Sequence, residues 1–399
     1  MVKEKKKQWG LRSLFFWIHF SLGVIAGLVI ALQCLTGFFM SYQKEILAFA
    51  ERGSQRISVP EKDSQRMFAD QLLLRAQGQE PDLAFTKLTV FTNPTRAWLL
   101  GYNRRDFHYI NPYSGDILYE KAQKWRSFFR FNLFLHRWLA LEGDKRSIGR
   151  QIMGVSNLIF IALSVLGLIL WWPKRQTWRQ WKSALWVRGR SNKRPRAYHF
   201  HRVFGFWGLW PLMIVLLTGA VFSYDWASSL TDEILGPRDS RGLTEQEKEI
   251  VENLPTRGAV LTLEQQIDAI SKGIPHWDSI NLALPLVGNK KGGPEKGAKK
   301  APIRLIEVQE TGVWFPLSPS RLLLDPHSGE ILSARRAGSM SLAQKIRASI
   351  RTLHTGEAGL WIGKTIAAIS CLIGIMLCYT GYSLSCKRVK KRLQQAKKP

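Results

Sequence analysis

Polar and apolar positions in this chain separate into blocks. Four nearly unbroken apolar runs, 14–42, 152–172, 203–224 and 360–385, stand between long polar stretches. Each reaches the ~20 residues that a helix needs to cross ~30 Å of hydrocarbon. Buried helices of soluble proteins rarely run so far without charge, so the pattern predicts four transmembrane helices. Between them the period changes. Residues 64–77 and 263–272 carry helical spacing, whereas 87–91 and 96–102 are β-prone. Two matching octapeptides, Asn111-Pro112-Tyr113-Ser114-Gly115-Asp116-Ile117-Leu118 and Asp325-Pro326-His327-Ser328-Gly329-Glu330-Ile331-Leu332, each predict a hairpin with Ser-Gly at the turn. Residues 125–141 interleave aromatics with Arg126, Arg130 and Arg137 and suit an amphipathic helix at a membrane interface. The Lys/Gly/Pro-rich stretch 288–301 reads as a flexible insertion.

Charge supplies orientation. The net charge is +28, a value that calls for an anionic partner. The basic residues flank the spans: Lys3, Lys5, Lys6, Lys7 and Arg12 at the start; Lys174, Arg175, Arg179, Lys182, Arg188, Arg190, Lys193, Arg194 and Arg196 between the second and third; Lys387, Arg388, Lys390, Lys391, Arg392, Lys397 and Lys398 at the end. In a four-span protein these stretches share one side, which the positive-inside rule makes cytoplasmic. Anionic lipid, not nucleic acid, is the partner this distribution predicts. The first span resembles a signal peptide ending in Ala48-Phe49-Ala50, but its apolar run is too long for one, so it reads as a retained anchor. The four cysteines, Cys34, Cys371, Cys378 and Cys386, lie in or beside spans and form no Cys-x-x-Cys, which argues against iron–sulfur ligation and c-type haem attachment.

The spans repeat a pattern. His19, Gly23 and Thr36-Gly37 in the first recur at identical intervals as His201, Gly205 and Thr218-Gly219 in the third. Leu135-His136, Gly149-Arg150 and Gly167 around the second recur as Leu353-His354, Gly363-Lys364 and Gly381 around the fourth, with one shift in the intervening loop. The chain therefore reads as two copies of a helix–soluble domain–helix unit. Two spans per copy make the copies parallel repeats about an axis along the membrane normal. That symmetry predicts His19 opposite His201 near the cytoplasmic side and His136 opposite His354 near the outer side.

Of the eight histidines, these four sit in or beside spans, where an ionisable residue marks function by default. Any one alone reads equally as a snorkelling interfacial side chain. Two symmetric pairs, however, meet the axial-ligand demand of two six-coordinate b-type haems. A bare metal ion would need further carboxylate or thiolate ligands, of which the spans offer almost none. A proton relay would need intramembrane acids, for which Asp225 is the clear candidate. Arg150, Lys364, Arg137, Arg202 and Arg351 are candidate propionate partners, though positive-inside charge explains them too. His199 is a rival ligand without a counterpart in the first span; His108, His276 and His327 read as surface residues.

The His-x-x-x-Gly opening of spans one and three, their Thr-Gly, the paired hairpins and the Leu-His before spans two and four resemble the PepSY-associated transmembrane family. More narrowly, they resemble its ferric-siderophore reductases of the bacterial inner membrane. The resemblance covers roughly residues 11–388. It implies PepSY-like periplasmic modules, haem b on the membrane histidines, and reduction of Fe(III)-siderophore complexes in the periplasm. The expected fold is an integral membrane, mainly α protein: four transmembrane helices in two parallel repeats, each with a small α+β periplasmic domain. The expected divisions are 1–43 (cytoplasmic N-terminus and first span), 44–125 (first module), 126–173 (interfacial helix and second span), 174–200 (basic connector), 201–226 (third span), 227–345 (second module), 346–386 (interfacial segment and fourth span) and 387–399 (basic tail). No Gly-x-Gly-x-x-Gly or P-loop follows a strand, so electrons must come from a separate cytoplasmic flavoprotein reductase or from membrane quinol. Two other readings stay open: a non-enzymatic binding or regulatory membrane protein, and an accessory permease for the chelate.

Overall fold

The computed structural model describes residues 10–60, 64–102, 106–119, 122–187, 196–237, 242–254, 259–284, 304–312 and 319–396. The 288–301 insertion, the lysines before Gly10, Arg188, Arg190, Lys193, Arg194, Lys397 and Lys398 lie outside these residues. The principal helices are α1 (Leu11–Met40), α2 (Ala69–Gln79), α3 (Gln123–Trp138), α4 (Lys145–Trp171), α5 (Arg196–Ser223), α6 (Leu263–Gly273), α7 (Leu342–His354) and α8 (Leu360–Ala396). The strands are β1 (Lys87–Phe91), β2 (Trp98–Gly101), β3 (Phe107–Ile110), β4 (Ile117–Leu118), β5 (Trp277–Ala283), β6 (Arg304–Glu310), β7 (Ser320–Leu324) and β8 (Ile331–Arg335). The chain forms two compact units, one holding the long helices and the other the sheet.

In the helical unit, α1, α4, α5 and α8 are each long and apolar enough to cross a membrane. They outrun the apolar stretches because backbone hydrogen bonding continues into flanking polar sequence. Packing closes a ring in which α1 meets α4 and α8, and α5 meets the same two. Ala26, Ile30, Cys34, Phe160, Leu212, Leu216 and Cys371 fill its middle. Ile25 and Leu28 on α1 are 73% and 74% exposed, as side chains meant for lipid are. The last carbonyls of α4, which lack partners within the helix, are taken by Arg12, bonded to Leu170 O (2.6 Å) and Trp172 O (3.1 Å), and by Arg202, bonded to Trp171 O (3.2 Å).

In the other unit, both predicted hairpins form: β3 pairs with β4 and β7 with β8. Their turns need a left-handed residue, supplied by Gly115 (φ 71°) and Gly329 (φ 75°). The expectation of two separate small modules is corrected by a single eight-stranded sheet, ordered β4-β3-β2-β1-β5-β6-β7-β8. The halves join where β1 pairs antiparallel with β5, placing Leu88 opposite Leu282 and Val90 opposite Ile280. A four-stranded module would leave this edge open to pairing and bury little core; joining edges removes both problems. The helices reinforce the union by exchanging caps. Asp70 of α2 accepts from the Leu263 and Glu264 amides of α6 at 2.9 and 3.2 Å, and Glu264 accepts from the Ala69 amide of α2 at 2.9 Å. Beneath them Leu72, Leu88, Leu100, Ile270, Ile280 and Leu322 are fully buried, each contributing about 1.5–3 kcal/mol of apolar burial.

Among the described residues, two buried acids lie in this unit. Glu51 accepts from Tyr109 Oη (2.7 Å) and pairs with Arg126; burial, then the Glu51 carboxylate, pushes the Tyr109 phenol pKa up. Glu247 accepts from Ser333 Oγ at 3.1 Å and pairs with Arg335 at 3.1 Å.

Candidate functional site

The four histidines named by the repeated pattern come together in two pairs within the helical unit. His19 on α1 and His201 on α5 have ring centres 6.3 Å apart, with planes at 89°. His136, near the end of α3, and His354, the last residue of α7, have ring centres 6.4 Å apart, with planes at 65°.

Each imidazole occupies a matching seat on one span. His136 lies against Gly37 of α1, His19 against Gly167 of α4, His354 against Gly219 of α5 and His201 against Gly381 of α8. A Cβ at these glycines would stand 3.8, 3.5, 3.4 and 3.7 Å from the ring Cε1, so the rings rest on bare backbone at van der Waals range. A threonine precedes the glycine in three seats, and its hydroxyl meets the histidine Nδ1: Thr36 with His136 at 2.8 Å, Thr218 with His354 at 3.0 Å, Thr380 with His201 at 2.9 Å. His354 Nδ1 also lies 3.0 Å from the Val215 carbonyl, to which it can only donate. With Nδ1 committed to the helix, Nε2 is the nitrogen left for the partner side.

The second pair depends on two tight turns. After His136 the chain reverses through Leu139 and Ala140, both at φ 54°, and the Trp138 carbonyl packs where a side chain at Gly149 would be. After His354 it reverses through Gly356 at φ 76°, whose carbonyl packs in the same way on Gly363. Asn132, one turn before His136, donates to Thr36 O at 2.9 Å and pins α3 to α1.

Each pair has the ring-centre spacing that one shared metal would require. A metal–imidazole distance of about 2.0–2.1 Å on both sides places coaxial ring centres about 6.4 Å apart, the separation found twice here. Among the described residues no group of three or more His, Cys, Asp or Glu side chains converges on a metal position. A metal at either pair would take its other ligands from a non-protein group, and a planar tetrapyrrole between two imidazoles answers that need. Around the first pair lies a cavity of about 1520 Å³, lined by Gly23, Gly205 and the apolar side chains of all four spans.

The predicted propionate partners fall in different places. Arg202 lines this cavity with Arg12, Lys174, Lys387 and Arg388. Arg150 donates to Ser223 O at 3.1 Å and lies 3.9 Å from Asp225. Arg137 stacks over Trp138, Lys364 is buried and Arg351 is exposed. Asp225 begins a separate helix after α5 with an exposed side chain. His199 lines the first cavity without belonging to either pair. His108 packs against Tyr102 and Tyr119.

Sequence reading missed Thr380 and the reason for the repeated glycines. The signal was present, since Thr380-Gly381 repeats Thr36-Gly37 and Thr218-Gly219, but it sits at the opposite end of its span. A family model described as the PepSY-associated TM region matches residues 16–388. No curated protein matches the chain.

Proposed function

The chain belongs to the PepSY-associated TM family, and we propose that it is a haem-b-bearing oxidoreductase of a bacterial inner membrane that reduces Fe(III)-siderophore complexes in the periplasm. The observation that carries this reading is the double histidine pair, with ring centres 6.3 and 6.4 Å apart and the Nδ1 nitrogens of His136, His201 and His354 turned to helix threonines. Bound at the two pairs, haem would supply two one-electron carriers.

The protein's part is positioning and insulation. Along α1 the His19 position and the Gly37 seat are 18 residues apart, about 27 Å of helix, close to the thickness of the hydrocarbon layer. The apolar cluster around Ile30, Phe160 and Leu216 fills the helical unit and keeps water out between them. Basic residues beside the spans fix the termini in the cytoplasm, leaving the sheet in the periplasm. The two halves are parallel repeats in this scheme. Electrons enter on the cytoplasmic side from a flavoprotein reductase or quinol. The Fe(III) chelate is the substrate on the other side, where reduction weakens its hold by hard oxygen donors.

The test is a dithionite-reduced minus air-oxidised spectrum of detergent-purified protein with haem quantified per chain. Low-spin b-type bands at about two haems per chain are expected. Replacing any of His19, His201, His136 or His354 with Ala should remove about one haem and stop Fe(III)-chelate reduction. Haem-free protein from haem-replete cells would overturn the proposal and favour a binding or regulatory role for the sheet unit.

A further inference from the structure

The four imidazole seats are not equal. Thr36 Oγ1 lies 2.7 Å from Leu32 O, 3.0 Å from Gln33 O and 2.8 Å from His136 Nδ1. Thr218 Oγ1 lies 2.6 Å from Ile214 O, 3.0 Å from Val215 O and 3.0 Å from His354 Nδ1. Thr380 Oγ1 lies 2.8 Å from Met376 O, 3.1 Å from Leu377 O and 2.9 Å from His201 Nδ1. A hydroxyl has one proton, and carbonyl oxygens can only accept. That proton goes to the helix carbonyls, so each threonine must accept from the imidazole Nδ1–H. The tautomer is thereby fixed, with the Nε2 lone pair free for a metal. In the fourth seat the residue before Gly167 is Leu166. His19 Nδ1 is buried there facing the Leu163 backbone carbonyl, with no hydroxyl in hydrogen-bond reach.

We propose that Thr36, Thr218 and Thr380 are positioning residues that set the ligating nitrogen and its donor strength, and that Leu166 makes His19 the weakest of the four ligands. The inference rests on the haem reading above. A hydrogen bond donated by Nδ1 raises the basicity of the other ring nitrogen and orients the ring. A more basic ligand favours the ferric over the ferrous state and lowers the reduction potential. The second pair has a threonine acceptor on both imidazoles, whereas the first has one on His201 alone. The first site is thus the one whose potential a single added hydroxyl can pull down.

The experiment is a spectroelectrochemical titration of both haems in the full-length protein, wild type against L166T, T380V, T380S, T36V and T218V. L166T should shift the first haem to lower potential and leave the second unchanged. T380V should shift the same haem upward and T380S should restore it; T36V and T218V should raise only the second. L166T adds a group, so its result counts even where a valine variant loses haem. Two haems at unchanged potentials in L166T and the valine variants would overturn the inference and leave the haem reading intact. Haem-free wild-type protein would overturn both at their common premise.

Discussion

The two halves of the chain hold their histidines by the same seats but reach them through different turns. In the first half the chain leaves His136 through Leu139 and Ala140, two non-glycine residues in the left-handed region, where a side chain costs roughly 1–2 kcal/mol. In the second half it leaves His354 through Gly356, and glycine takes the left-handed backbone without that cost. Both turns nevertheless lay a carbonyl oxygen against a glycine in the first turns of the next span, Gly149 or Gly363. The turn thus varies while the carbonyl–glycine contact stays. His19 and His201 need neither device, because their own spans carry them. One pair depends on long helices, the other on loops.

The hardest test of this contrast is Gly149→Ala or Gly363→Ala. The added methyl collides with the Trp138 or Gly356 carbonyl, an overpacking that costs about 1–3 kcal/mol and displaces the adjoining histidine. Haem content should fall by about one per chain, with the first-pair signal retained. Two haems with unchanged thermal stability would show that these turn contacts do not position the ligands.

A smaller effect separates the halves of the sheet. Asp70 caps two amides of α6 whereas Glu264 caps one of α2. Asp70→Ala should therefore lower stability more than Glu264→Ala, by about 1–2 kcal/mol against about 1 kcal/mol. Thermal unfolding of the purified protein reads the difference, and equal losses would count against the asymmetry.

The smallest effect lies in the paired hairpins. Asn111 Oδ1 accepts from the Tyr113 amide and Asp325 Oδ1 from the His327 amide, both at 2.9 Å, so Asp325→Asn should be almost neutral at pH 7. Burial would raise the Asp325 pKa, but the His327 amide and the Ser328 hydroxyl outweigh it and hold the carboxyl below its usual value. A depressed carboxylate contributes stability above its unfolded pKa of about 3.9 and loses it as pH falls through the folded value. That acid sensitivity should vanish in D325N and appear in N111D, as unfolding curves from pH 6 down to 3 would reveal.

The linear pattern determined much of this protein. Apolar runs long enough to span a bilayer can be read directly, because lipid forces each backbone segment to satisfy its own hydrogen bonds as a helix. Matching intervals from His19 and His201 to their Thr-Gly pairs pointed to the histidine pairs, since equal spacing on equal helices gives equal depth. Asn-Pro-Tyr-Ser-Gly-Asp and Asp-Pro-His-Ser-Gly-Glu announced the hairpins through local turn chemistry. What the tertiary structure alone decided is which groups meet across helices and across halves. Pairing of β1 with β5, the exchanged caps of Asp70 and Glu264, and the seating of His201 on Thr380-Gly381 all join residues far apart in the chain. No local preference encodes them; they follow from open strand edges, unpaired helix termini and ring nitrogens that each find their partner only when the chain has folded.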